Sequence, residues 1–128
     1  RTEVSDIDVK SLVPESMRNL SSEEFMKKLP EMDDYMLSLY NKAKEKGMKL
    51  RYVGKVDEGG VCSVSLAEYP LDHPFSQAKG TDNVISFRTM RYDKQPLVIK
   101  GPGAGPEVTA GGVFADILRL SAYLGSKV

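Results

Sequence analysis

Three glycines alternate within the five-residue stretch GPGAG, which follows a short apolar run and precedes a helical-looking segment. Gly101, Gly103 and Gly105 carry no Cβ, so a ligand can approach the main chain closely there. A strand, a glycine turn and a helix in this order also leave amides of the helix N-terminus free to bind an anion. The spacing indicates either a ligand cradle or a tight structural turn, and both interpretations stay open at this point.

The glycine stretch does not match the two best-known nucleotide fingerprints. It does not spell G-x-G-x-x-G, no acidic residue closes a second strand about 20 positions further on, and no G-K-[ST] follows. The downstream residues Ala110, Gly111 and Gly112 indicate instead a helix that packs closely against a neighbour. The sequence therefore excludes a Rossmann fingerprint or a P-loop at this position.

Few other residues are candidates for a catalytic, binding or metal-ligating role. His73 is the single histidine and lies in a loop beside Asp72, where a hydrogen-bonded structural role competes with a functional one. Cys62 stands in an alternating strand pattern typical of packing. Lys100 precedes the glycines, but it is not nominated as a proton donor. The acidic residues are scattered, so we predict neither a metal site nor an acid and base pair of carboxylates.

Helical elements are predicted in the first half of the chain. Ser21 and Glu24 form a capping-box pattern that predicts a helix start. Pro30 cannot donate its amide, so this helix should end near Leu29, and a second helix should run on to Gly47. Residues 1–20 alternate weakly and indicate an extended arm or edge strand.

The period changes to two from Leu50 onward. Residues 50–56 and 61–67 are predicted as a hairpin, and the stretches NVISFRTMRY and PLVIK as two further strands. The irregular loop between them should carry one helical turn near Ser76. The predicted class is α+β: a mixed sheet of about four to five strands, two helices on one face and a C-terminal helix.

Composition narrows the function classes. The 128 residues fit one domain, and 18 basic against 18 acidic side chains give no net charge that would favour nucleic acid. We see no apolar run near the roughly 20 residues of a membrane span. A single cysteine cannot form an internal disulfide, which fits a reducing compartment. We therefore expect a protein with neither a nucleic-acid nor a membrane partner.

The whole chain resembles a known family. The segments GPGAGPEVTAGGVFADILR, LRYVG, HPF and GTDNVISF, together with SLVPESMR and EEFMKKLPEMD, are similar to the C-terminal portion of homoserine dehydrogenase. The ending ILRLSAYLG resembles the bifunctional aspartokinase–homoserine dehydrogenases of plants. The resemblance implies interconversion of aspartate 4-semialdehyde and homoserine with NADP or NAD, a step toward threonine, methionine and isoleucine.

The resemblance also implies how residues 1–128 take part. Gly103, Ala104 and Gly105 would approach the bound cofactor from the substrate side, and His73 would lie near the substrate. The nucleotide-binding half and the catalytic residues would lie upstream, so no residue here is nominated as catalytic. The last helix, near residues 108–124, would return to pack on that half, and the sheet would form a homodimer.

Further expectations follow from this resemblance. The chain begins with Arg1 rather than Met, which suggests a fragment, a processed chain or a trimmed one, and on its own it should be inactive. Its compartment should be the cytoplasm, or the plastid for a plant protein. Two alternatives belong to other classes: a stand-alone dimerisation module, or a small-anion-binding module that uses the glycine loop.

Overall fold

A computed structural model describes residues 3–125 and has the α+β class that the sequence predicts. The strands are β1 Asp8–Val9, β2 Met48–Val56, β3 Cys62–Pro70, β4 Asp82–Phe87 and β5 Leu97–Pro102, and the helices are α1 Ser22–Lys28, α2 Asp33–Glu45 and α3 Pro106–Tyr123. The five strands are divided between a sheet of three and a sheet of two. These sheets fall into two compact units that meet in sequence between Ser76 and Gln77.

The three-stranded sheet of the first unit is built on the predicted hairpin. β2 and β3 pair antiparallel from Met48 opposite Pro70 to Val56 opposite Cys62. Asp57 closes the turn by accepting two backbone amides on its Oδ1, and Gly60 supplies a φ of +77°. The predicted N-terminal arm pairs with β3 in parallel orientation through β1, and the Lys10 amide extends this pairing to the Val64 carbonyl.

The two helices of the first unit begin and end as the sequence indicates. The Ser21 hydroxyl accepts the Glu24 amide at 3.3 Å, and the Glu24 carboxylate accepts the Ser21 amide at 3.0 Å, which completes the capping box. Pro30 ends α1 by opening a 3₁₀ turn over Leu29–Met32, which leads into α2. After α2, Gly47 takes the left-handed conformation with φ +68°.

The second unit consists of the β4–β5 hairpin and α3. The register runs from Asp82 opposite Pro102 to Phe87 opposite Leu97, so the glycine stretch begins within the last two residues of β5. Along α3 no residue is buried, and large apolar side chains such as Phe114 are 60% exposed. Within residues 3–125 the buried side chains, Met17, Met32, Ala43 and Ser76, all belong to the first unit.

Transmembrane character is absent from the part of the chain that the structure describes. None of its helices combines the length and the apolar composition that a membrane crossing requires.

Candidate functional site

The glycine loop, residues 101–105, leaves β5 and leads into α3. The Gly103 amide donates a hydrogen bond of 2.8 Å to the carbonyl of Thr81, which holds the loop against the start of β4. Gly103 and Ala104 are exposed, and Gly105 is half-buried. The main chain of Gly103 and Ala104 is therefore accessible to solvent just before the helix begins.

The three glycines of the loop differ in backbone conformation and in the space available for a Cβ. Gly105 is the N-cap of α3 and has φ +132° and ψ 155°, a region that residues with a side chain rarely adopt. A Cβ at Gly103 would overlap the side chain of Asn83 and come within 2.8 Å of its Oδ1. A Cβ at Gly101 would meet nothing within 4 Å, and its φ is ordinary. Gly105 is therefore required by its backbone conformation, and a Cβ at Gly103 would fit only if the Asn83 side chain moved.

The N-terminus of α3 is poorly suited to a phosphate. Pro106 is the first helical residue and has no N–H to offer, and Glu107 places a carboxylate in the first turn. Both features lower the affinity of this helix terminus for an anion. The loop itself presents uncharged main chain, exposed at Gly103 and Ala104.

Lys100 stands beside the glycine loop, but its ammonium is already occupied. Its Nζ lies 3.2 Å from Oδ2 of Asp82 and donates to the carbonyl of Gln77 at 3.1 Å. The amide of Lys79 also donates to Asp82, and together these bonds hold the pKa of the Asp82 carboxyl below its usual range, with the Lys79 amide the larger cause. These contacts give Lys100 a structural role at the start of β4.

His73 lies in a short aromatic cluster of the first unit. Its ring centroid is 4.5 Å from that of Tyr69 and 4.8 Å from that of Phe75. Its Nδ1 accepts the Phe75 amide at 3.1 Å, so the neutral ring carries its proton on Nε2. Residues 74–77 form the predicted helical turn, and the buried Ser76 hydroxyl donates to the carbonyl of Tyr69.

Two cations of β2 hold the loop that carries His73. Arg51 donates from Nε to the carbonyl of Phe75 at 2.8 Å, from Nη2 to that of Ser76 at 3.1 Å and from Nη1 to that of Leu50 at 2.8 Å. Lys49 also donates to the Ser76 carbonyl, at 3.1 Å. Sequence reasoning missed these contacts, because only the loop's return to β2 brings the residues together.

The remaining sequence candidates show no assembled chemistry. Cys62 is half-buried at the start of β3, with its Sγ 3.6 Å from the carbonyl of Gly60. Among residues 3–125 no three His, Cys, Asp or Glu side chains are grouped so that they could hold a metal ion. Asn83 is the residue near the glycine loop that sequence reasoning missed. Its one sequence signal is its place within GTDNVISF.

The geometry defines an α+β protein. Its second unit contains a β-hairpin, a glycine loop and an apolar helix. The family model of homoserine dehydrogenase matches residues 1–118. The chain belongs to the homoserine dehydrogenase family.

Relatives of two kinds agree with this assignment. The chain is 54% identical over 128 residues to the chloroplastic bifunctional aspartokinase/homoserine dehydrogenase 2 of Zea mays, covering 98% of this chain and 14% of the relative. It is 48% identical over 114 residues to a homoserine dehydrogenase of Paracoccidioides brasiliensis, covering 88% of this chain and 31% of the relative.

A solved structure supports the fold as well. A crystal structure of a Candida auris protein of unknown function matches with a TM-score of 0.78 and 44% identity, over 92% of this chain and 33% of the other. The chain thus spans between about a seventh and a third of the length of these relatives.

Proposed function

We propose that this chain is the part of a homoserine dehydrogenase that covers the reactive end of the cofactor, in an enzyme that interconverts homoserine and aspartate 4-semialdehyde. The observation that carries the proposal is the glycine loop, where Gly105 holds a φ of +132° and the Cα of Gly103 lies against the Asn83 side chain. Membership of the family supports the reaction class. The cofactor would be NADP or NAD.

The loop fits such a cofactor through its shape. Exposed main chain at Gly103 and Ala104, with no helix amide available at Pro106, suits a planar ring rather than a phosphate. A nicotinamide cofactor, when bound, supplies or accepts a hydride. Residues 103–105 orient the ring and limit water at it. Lys100 is paired with Asp82, and we assign the proton donor to the part of the enzyme outside this chain.

The apolar surface of α3 supports a proposal about partners. Val113, Phe114 and Ile117 are each more than half exposed, which is costly for a helix left in water. We propose that α3 packs on the nucleotide-binding half of the same enzyme and that the chain forms a homodimer through its sheet. On its own the chain would neither turn over substrate nor bind NADPH tightly.

His73 remains a proposed substrate contact. Its Nδ1 is used by the Phe75 amide, so a substrate would meet Nε2. The compartment is proposed from the relatives: the maize relatives are chloroplastic, which favours a plastid for a plant protein and the cytoplasm otherwise.

A chimera tests the proposed function. Residues 1–128 would replace the matching segment of the maize bifunctional relative, and homoserine-dependent reduction of NADP would be measured, with aspartokinase activity as the folding control. We expect dehydrogenase activity within about tenfold of the parent, since half of the residues are shared. A chimera with full kinase activity and no dehydrogenase activity would refute the proposal.

A further inference from the structure

Asn83 occupies the space beside Gly103 that a side chain would need. A Cβ built on Gly103 would overlap Nδ2 and Cγ of Asn83, so the Cα of Gly103 lies directly against this carboxamide. Asn83 is paired with Gly101 in the β4–β5 register, which fixes its backbone relative to the loop. The contact therefore joins β4 to the part of the loop where the strand pairing has ended.

The segment that carries Asn83 is itself firmly held. Gly80 turns the chain with φ +53°, Asp82 accepts the Lys79 amide at 3.0 Å, and Lys100 binds the same carboxylate from β5. The next carbonyl, that of Thr81, accepts the Gly103 amide. The start of β4 thus offers the loop one hydrogen bond and, from Asn83, one steric stop.

The Asn83 side chain has no role in the secondary structure itself. It is exposed, and its carboxamide has no hydrogen-bond partner within residues 3–125. What the contacts show is volume placed against Gly103. A glycine-rich loop has unusually large backbone freedom, so side-chain volume beside Gly103, carried on a backbone that the strand pairing holds, removes many of its conformations.

We propose that Asn83 is the positioning residue of the glycine loop, which by its volume holds the main chain of residues 103–105 in the conformation that receives the ligand. The identity of the ligand, the nicotinamide end of the cofactor, rests on the proposed function. The steric role does not, because it follows from the contact with Gly103. A loop that is ordered before binding loses less entropy when the ligand arrives.

Two substitutions at Asn83 separate volume from hydrogen bonding. Asn83→Ala removes the obstacle, while Asn83→Leu keeps a branched side chain of similar shape without polar groups. In the ligand-free chimera, hydrogen exchange of the Gly103 amide should rise about tenfold in the Ala variant and stay near the parent value in the Leu variant. The dissociation constant of NADPH should weaken about fivefold in the Ala variant only.

The partner substitution tests the contact directly. Gly103→Ala should weaken NADPH binding strongly in the parent background, and about tenfold less in the Asn83→Ala background, because the overlap is then relieved. If the two effects simply multiply, or if Gly103→Ala alone changes binding less than twofold, Asn83 does not position the loop and the proposal is wrong. Equal losses in the Ala and Leu variants would also overturn it, in favour of a hydrogen-bonding role.

The proposed function can fail separately. A chimera that shows the exchange pattern but binds no NADPH would leave Asn83 as the positioning residue and overturn the choice of ligand. A chimera that binds NADPH normally in all variants, with unchanged exchange, would overturn the positioning role alone.

Discussion

The His73 loop and the glycine loop are both irregular, and they differ in where their polar groups go. In the His73 loop, carbonyls of Phe75 and Ser76 are bound by Arg51, and the Nδ1 of His73 is bound by a backbone amide. In the glycine loop the Gly103 amide donates to Thr81 and the Gly105 carbonyl accepts the Thr109 amide, while the main chain of Gly103 and Ala104 is exposed. A loop with satisfied groups needs no ligand to be ordered, whereas free main chain is available for one.

The largest loss of activity is expected from a substitution at Gly105. Gly105→Ala forces a side chain into φ +132°, so the loop must move to relieve the strain. A shift of this kind near a reacting centre should lower the chimera's dehydrogenase kcat/KM about 100-fold. Steady-state kinetics with homoserine as the varied substrate would measure it.

Gly101 is the matched control for this prediction. Its Cβ would enter open space at an ordinary φ, so Gly101→Ala should change kcat/KM no more than about twofold. If the two variants behaved alike, conformational freedom at Gly105 would not be what the loop requires.

The His73 loop should respond in stability rather than in chemistry. Arg51→Ala removes three hydrogen bonds to backbone carbonyls and should lower the free energy of unfolding by about 2 kcal/mol. Urea denaturation of the 128-residue chain would measure this. Arg51→Lys should recover only part of the loss, because one ammonium cannot reproduce the planar fork of donors. A large loss of kcat/KM in the chimera with unchanged stability would show that Arg51 acts in the chemistry rather than in holding the loop.

His73 itself offers a sharper test of the same contrast. In His73→Asn the amide oxygen can replace Nδ1 as acceptor for Phe75, and in His73→Gln the longer amide reaches toward the position of Nε2. If Nε2 contacts substrate, the Asn variant should keep its stability and raise the KM for homoserine about fivefold, with a smaller rise in the Gln variant. Unchanged KM in both variants would restrict His73 to a structural role.

The part of the structure that can be predicted from the sequence differs between these regions for a physical reason. The capping box of Ser21 and the hairpin turn at Asp57 were predicted correctly, because both depend on residues within a few positions of each other. The division of five strands between two sheets was not visible, since strand partners are set by long-range packing. The glycine loop was found by composition. The contact between Asn83 and Gly103 was not, because it exists only in the β4–β5 register.

The smallest expected effect is a pH dependence of stability, which distinguishes the contacts that hold the two loops. The His73 loop is held through carbonyls, which do not titrate, whereas the start of β4 is held through the Asp82 carboxylate. Because the fold lowers the pKa of Asp82, this carboxylate stabilises the protein fully above the ordinary pKa of aspartate, about 3.9, and loses that contribution as the pH falls through the lowered value. Asp82→Asn should therefore slightly destabilise the chain at pH 7 and leave it unchanged well below pH 3, as followed by urea midpoints.

Arg51→Ala, its control, should destabilise the chain equally at both pH values. If the Asp82 variant lost as much stability in acid as at neutral pH, the carboxylate would not be the group that supports the glycine loop.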